Sequence, residues 1–161
     1  MKMGVTLTGN RRRKHVRIFS QNCRGLKTKD RLQMIVEELE NRNSFAAAVQ
    51  ETWRKGSEAL QLKNSTVVLH GPSQQSGRGS RGVGIVLSSV ATDAWVAGGS
   101  KVYSDDAQNG GRAMAVRLQC TDAQGNQVGI FLVSAYAPVG AAAQKGALGR
   151  FLRGSESDFG E

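Results

Sequence analysis

Residues 16–50 constrain the fold most. "VRIFSQN" (16–22) alternates Val16, Ile18 and Ser20 against Arg17, Phe19 and Gln21, the period of a strand near a sheet edge. Gly25 breaks the run. From Thr28, a candidate N-cap, Leu32, Ile35, Val36 and Leu39 follow the i, i+3, i+4, i+7 stripe of an amphipathic helix that should end near 41–43. The short run "FAAAVQ" (45–50) then reads as a second strand. Strand, helix and strand at these lengths require a parallel pair joined by a crossover.

The second half reads differently. "RAMAVRLQC" (112–120) and "QVGIFLVSAY" (127–136) flank "TDAQGN", where Gly125 and Asn126 favour a hairpin turn and hence an antiparallel pair. "IFLVSAY" is almost continuously apolar, so its strand is expected to be central and covered on both faces, with Pro138 ending it. A parallel and an antiparallel pair in one chain predict an α/β (α+β) fold with mixed sheets.

"SGRGSRGVG" (76–84) places Gly77, Gly79 and Gly82 in the spacing G-x-G-x-x-G. A dinucleotide loop needs a strand before it and a helix after it, since the helix N-terminus holds the pyrophosphate. "TVVLH" (66–70) supplies a strand, but the exit "VGIVLSSV" (83–90) reads as another strand, and Arg78 and Arg81 stand where small residues are wanted. A flexible connection fits better.

With 161 residues the chain fits one domain, able to bury about 70% of its unfolded surface. Its net charge of +9 favours a polyanionic partner. Ten of its Lys and Arg lie in residues 1–31 against Asp30 alone, with "RRRKH" (11–15) at their centre. Such a block is a solvated tail with affinity for polyanions, or a nuclear-targeting signal. Cys23 and Cys120 lack the spacing of a disulfide framework or zinc site, which fits a reducing compartment. No apolar run is long enough to span a bilayer. The expected protein is soluble and intracellular, with no membrane partner and no obligate protein partner.

Three polar residues stand where strands end: Asn22, Glu51 and Tyr136. Singly, each has a bland reading as a turn residue, a helix-end charge and a half-buried aromatic. Together they match the way α/β scaffolds assemble a site from strand ends, and carboxylate, amide and phenol suit an oxygen-preferring ion such as Mg²⁺. His15 and His70 read as surface or core histidines.

"IFSQNCRGL", "AVQETW", "GRGSRGVGIVLS", "GGRAMAVRL" and "LVSAYAP" together resemble the endonuclease/exonuclease/phosphatase superfamily. Within it they are similar to endonuclease domains of non-LTR retrotransposons and craniofacial-development-protein-like sequences. The resemblance covers about residues 16–138 in the family's order. It implies the N-terminal portion of a four-layer α/β/β/α sandwich, incomplete here. It also implies that Glu51 and Asn22 hold Mg²⁺, that Tyr136 and Asn22 orient the scissile phosphate and that Arg112 supports it. The implied partner is nucleic acid, DNA above all, and the implied reaction phosphodiester hydrolysis.

The family's downstream Asp-x-Asn and Asp-His motifs have no counterpart in this sequence. "SDFGE" puts Gly160 where the amide is needed, and "DFGE" resembles a helix's first turn cut short. The expected organisation is a basic tail (1–14), a truncated endonuclease-like domain (15–138), and a loop with the start of an interrupted helix (139–161). The expected function is an inactive fragment of a Mg²⁺-dependent endonuclease. A non-catalytic basic nucleic-acid-binding module and a decayed retroelement reading frame are the alternatives.

Overall fold

The computed structural model describes residues 16–73, 81–105 and 110–137. The basic tail, Gly77 and Gly79 with Arg78, Pro138 and the C-terminal segment with its capping-box spacing lie outside the described residues.

The crossover forms as its pattern requires. β1 (Ile18–Asn22) and β2 (Ala46–Gln50) pair in parallel, joined by α1 (Lys29–Asn41). Thr28 caps α1, its side chain accepting from the Arg31 N–H at 3.4 Å. Leu32, Ile35, Val36 and Leu39 are the helix's buried residues.

β3 (Ser57–Leu62), β4 (Ser65–His70) and β5 (Val83–Leu87) complete a five-stranded mixed sheet of order β1-β2-β5-β4-β3, with β1 at an edge. Beyond β5 the chain departs from the expected strand over 83–90. Ser88 is the N-cap of a second helix, α2 (Ser89–Ala97), and accepts from the Ala91 N–H at 3.3 Å. Ala91 and Trp95, four apart, are the buried face of α2. A serine oxygen that satisfies a helix's first N–H groups outweighs the β-branched residues beside it.

β6 (Val102–Ser104), β7 (Ala113–Thr121) and β8 (Gln127–Ala135) form a second, antiparallel sheet of order β6-β7-β8. The hairpin turn closes through Gly125 N–H on the Asp122 carbonyl and the Asp122 carboxylate on the Gln124 and Asn126 amides. Here the expectation of a central "IFLVSAY" fails: among the described residues β8 lies at the edge of its sheet, and β7 takes the middle. Leu132 and Ser134 are buried, Ser134 donating to the Val49 carbonyl at 3.0 Å, while Val133 is exposed. Phe131 packs against the Tyr103 ring of β6, 5.5 Å away.

Two cores follow from the strand period of two. Ala47, Val49, Val67, Leu69 and Val86 face α1, and Ala46, Val68, Ile85 and Leu87 face Met114, Val116, Leu118 and Leu132 of the second sheet, with Ala91 and Trp95 joining them. The architecture is mixed α/β, with a helix, a five-stranded sheet and a three-stranded sheet in that order. Among the described residues no helix is long and apolar enough to cross a membrane.

Candidate active site at the strand ends

Sheet register sets the site. Parallel pairing aligns Asn22 with Gln50, and antiparallel pairing brings the start of β5 and the end of β4 to the same level, Gln50 opposite Val83 and Val83 opposite His70. In the second sheet Ala113 pairs with Ala135, so Arg112 and Tyr136 are neighbours, Tyr136 N–H donating to the Arg112 carbonyl at 2.7 Å. The sheets are tied at this end by Gly82 N–H on the Gly111 carbonyl at 2.9 Å.

Asn22, Glu51, Arg112 and Tyr136 therefore share one end of the sandwich. Asn22 Nδ2 donates to Glu51 Oε1 at 2.8 Å, and Asn22 Oδ1 accepts from the Arg24 N–H at 3.2 Å. The Tyr136 hydroxyl meets the same carboxylate. Desolvation, the hydrogen bond to Glu51 and the Glu51 charge hold the phenol above its ordinary value, against the pull of Arg112. Tyr136 thus remains a proton-bearing donor at neutral pH.

The backbone that presents Glu51 is strained. Glu51 and Trp53 both have left-handed φ, 53° and 57°, which costs a residue with a Cβ roughly 1–2 kcal/mol. Neighbouring hydrogen bonds hold them there. Gly25 N–H and Leu26 N–H donate to the carbonyls of Glu51 and Thr52, and Thr52 N–H and Trp53 N–H donate to the carbonyls of Gly82 and Arg81. These bonds explain why "QNCRGL" and "QETW" occur together. The Trp53 ring packs onto Gly25, where an added Cβ would sit 2.7 Å from the indole, and Gly25 has φ 107°. Gly82, φ 106°, abuts the Thr52 side chain in the same way. Of the G-x-G-x-x-G glycines it is the one described, and it lies at the entry of a strand, not a helix. Among the described residues, Thr52 Oγ1 and Trp53 Nε1 are buried without a hydrogen-bond partner.

Beside this segment runs an open groove of about 370 Å³, lined by Lys27, Trp53, Arg54, Lys55 and Glu58. Arg54 is committed within the protein, to Glu58 at 2.7 Å and to the carbonyls of Leu26 and Lys27 at 3.0 and 3.2 Å.

Among the described residues no group of three or more His, Cys, Asp or Glu converges on one point. Glu51 is the one carboxylate of the quartet. One carboxylate can supply a single ligand to an oxygen-preferring divalent ion, whose remaining positions water would fill. Asn22 turns its N–H, not its oxygen, toward Glu51, an orientation that aims the carboxylate. Neither cysteine competes as a nucleophile: burial pushes the Cys23 thiol up to about 11 despite Arg31, and raises Cys120 as well.

His70, read from sequence as a surface or core residue, is a core one. It is 1% exposed and bonded through Nε2 to Asp105 at 2.7 Å. Asp105 was not singled out by sequence reasoning, although it too follows a strand at this end; β6 is only three residues long and leaves little periodic signal.

No protein-family model and no curated protein matches the chain. Among solved structures it is similar to the AP endonuclease LMAP from Leishmania major, with a TM-score of 0.53 and 16% identity over 86% of this chain and 45% of that one. The chain thus spans under half the length of that endonuclease, and the likeness is one of fold.

Proposed function

We propose that this chain carries part of a divalent-metal phosphodiesterase site acting on nucleic acid, as in the endonuclease domains of non-LTR retrotransposons and craniofacial-development-protein-like sequences. The carrying observation is the convergence of Asn22, Glu51, Arg112 and Tyr136 at one end of two tied sheets. The endonuclease with the similar fold and the net charge of +9 support a nucleic-acid partner, DNA first.

Glu51 would hold Mg²⁺, with Asn22 aiming its carboxylate, and the bound ion would supply neutralisation of charge developing on phosphate oxygens. Tyr136, kept protonated, would turn its one hydrogen bond from Glu51 to a phosphate oxygen once the carboxylate is engaged, and the Arg112 guanidinium would pair with another. With Glu51 committed to the metal, none of the other three is a base at neutral pH, and general-base assistance contributes about 10²–10⁴-fold. Hydrolysis by these four residues alone is therefore slow or absent. A basic binding module without chemistry is the second reading, favoured by the Lys27 and Lys55 groove. By this reading residues 15–138 form the nuclease-like unit and 1–14 a basic extension, suited to a nuclear setting.

The test is binding of a labelled DNA duplex with and without Mn²⁺, a spectroscopic stand-in for Mg²⁺, alongside plasmid nicking. Glu51→Ala is expected to abolish the metal-dependent part of binding and leave the rest. Equal binding by both chains in Mn²⁺ would favour the metal-free module, and robust nicking that disappears in Glu51→Ala would overturn the reading of a silent site.

A further inference from the structure

His70 and Asp105 occupy the same end of the sandwich, and the chemistry above leaves them unused. Both ring nitrogens of His70 are engaged, Nδ1 with Ser57 Oγ at 2.7 Å and Nε2 with Asp105 Oδ1 at 2.7 Å. Nε2 donates to the carboxylate in either form of the ring, and Nδ1 shares the second hydrogen bond with the Ser57 hydroxyl. Asp105 also accepts from the Gly111 N–H at 2.9 Å and, through Oδ2, from the Arg112 N–H at 3.1 Å.

The carbonyls of the same two residues are committed too, Gly111 to the Gly82 N–H at 2.9 Å and Arg112 to the Tyr136 N–H at 2.7 Å. One carboxylate therefore anchors the turn whose other side carries Tyr136 and, through Gly82 and Thr52, the Glu51 segment. Ser57, His70 and Asp105 have the residue types of an acyl-transfer triad, but the adjacent N–H groups cannot serve an oxyanion. Gly56 N–H is spent on the Pro72 carbonyl and Gly71 N–H on the Gly56 carbonyl.

We propose that His70 and Asp105 are positioning residues that hold Arg112 and Tyr136 in register with Glu51 by clamping the Gly111–Arg112 backbone. The proposal rests on the reading of the site given above. A carboxylate with three donors stays in place, and one deprived of His70 turns toward solvent and releases the amides it holds.

The experiment is amide NMR of the ¹⁵N-labelled full chain, with His70→Ala, His70→Gln and Asp105→Asn beside the parent. His70→Ala is expected to shift the signals of Gly111, Arg112 and Tyr136 and hasten their hydrogen exchange, with those of α1 unmoved. His70→Gln, whose side-chain amide donates as Nε2 does, is expected to restore them. Affinity for a short labelled DNA duplex should fall about 10- to 100-fold in His70→Ala and recover in His70→Gln, as for other residues that orient a ligand-bearing group. If His70→Ala does not fold, Asp105→Asn gives the same readings by denying the Arg112 N–H its acceptor. Unmoved signals at Arg112 and Tyr136 would overturn the proposal, as would equal losses in His70→Ala and His70→Gln. Failure of the site reading shows separately, as equal duplex binding by the parent and Glu51→Ala in Mn²⁺, and the amide signals decide the clamp in either case.

Discussion

Glu51 pays for its position with a left-handed backbone, and that strain can be separated from its charge. Glycine adopts φ 53° freely, whereas alanine is as strained there as glutamate. Glu51→Gly should therefore be about 1 kcal/mol more stable than Glu51→Ala by urea unfolding, with metal-dependent DNA binding absent from both. Equal midpoints would show that the segment is relaxed. Asp105 gives a second residue-scale test. Burial raises its carboxyl, but the His70 hydrogen bond, the Gly111 and Arg112 amides and the His70 charge outweigh burial and hold it below the usual carboxylate range. The folded value lies below the unfolded one, so the stability it lends is complete above an aspartate's ordinary value of about 3.9 and is lost as pH falls through the folded value. Asp105→Asn should lower stability at neutral pH and flatten this acid slope, read from urea midpoints between pH 7 and pH 3.

At the scale of elements, α2 joins the two sheets from the side. Trp95 is 9% exposed, lies in the inter-sheet core and donates from Nε1 to the Lys101 carbonyl at 3.0 Å. Thr92 of the same helix donates to Thr66 Oγ1 of β4 at 3.1 Å. Trp95→Ala should cost about 3–5 kcal/mol, since it empties a large volume and orphans a carbonyl. Calorimetry checks this, and a loss under 1 kcal/mol would mean that α2 contributes little. β8 shows how composition misleads at this scale. A nearly continuous apolar run suggests two covered faces, yet among the outward positions of β8 Phe131 meets the Tyr103 ring and Val133 is exposed.

For the whole molecule, the proposed association with nucleic acid would be dominated by charge. Residues 1–14 hold Lys2, Arg11, Arg12, Arg13 and Lys14, five of the chain's 22 basic residues. Each phosphate they neutralise steepens the dependence of log affinity on log salt by about 0.9. A chain lacking residues 1–14 should show a shallower slope in a filter-binding titration while keeping any Mn²⁺-dependent part, because Glu51 lies elsewhere. An unchanged slope would place the contact in the Lys27 and Lys55 groove instead.

Local periodicity and caps determined α1, the β1 to β2 crossover and the β7 to β8 hairpin, because Thr28, the Leu32 to Leu39 stripe and Asp122 with Gly125 act over a few residues. The strand-end rule brought Asn22, Glu51 and Tyr136 to notice for the same reason: a strand's C-terminal end is a local property. Only the tertiary structure decided the rest. Strand order put Gly82 beside Gly111 and His70 beside Asp105, contacts between segments 29 and 35 residues apart whose geometry depends on how two sheets stack. The turn of Asn22 toward Glu51 and the left-handed backbone at Glu51 and Trp53 likewise arise from long-range hydrogen bonds, whose partners no short stretch of sequence contains.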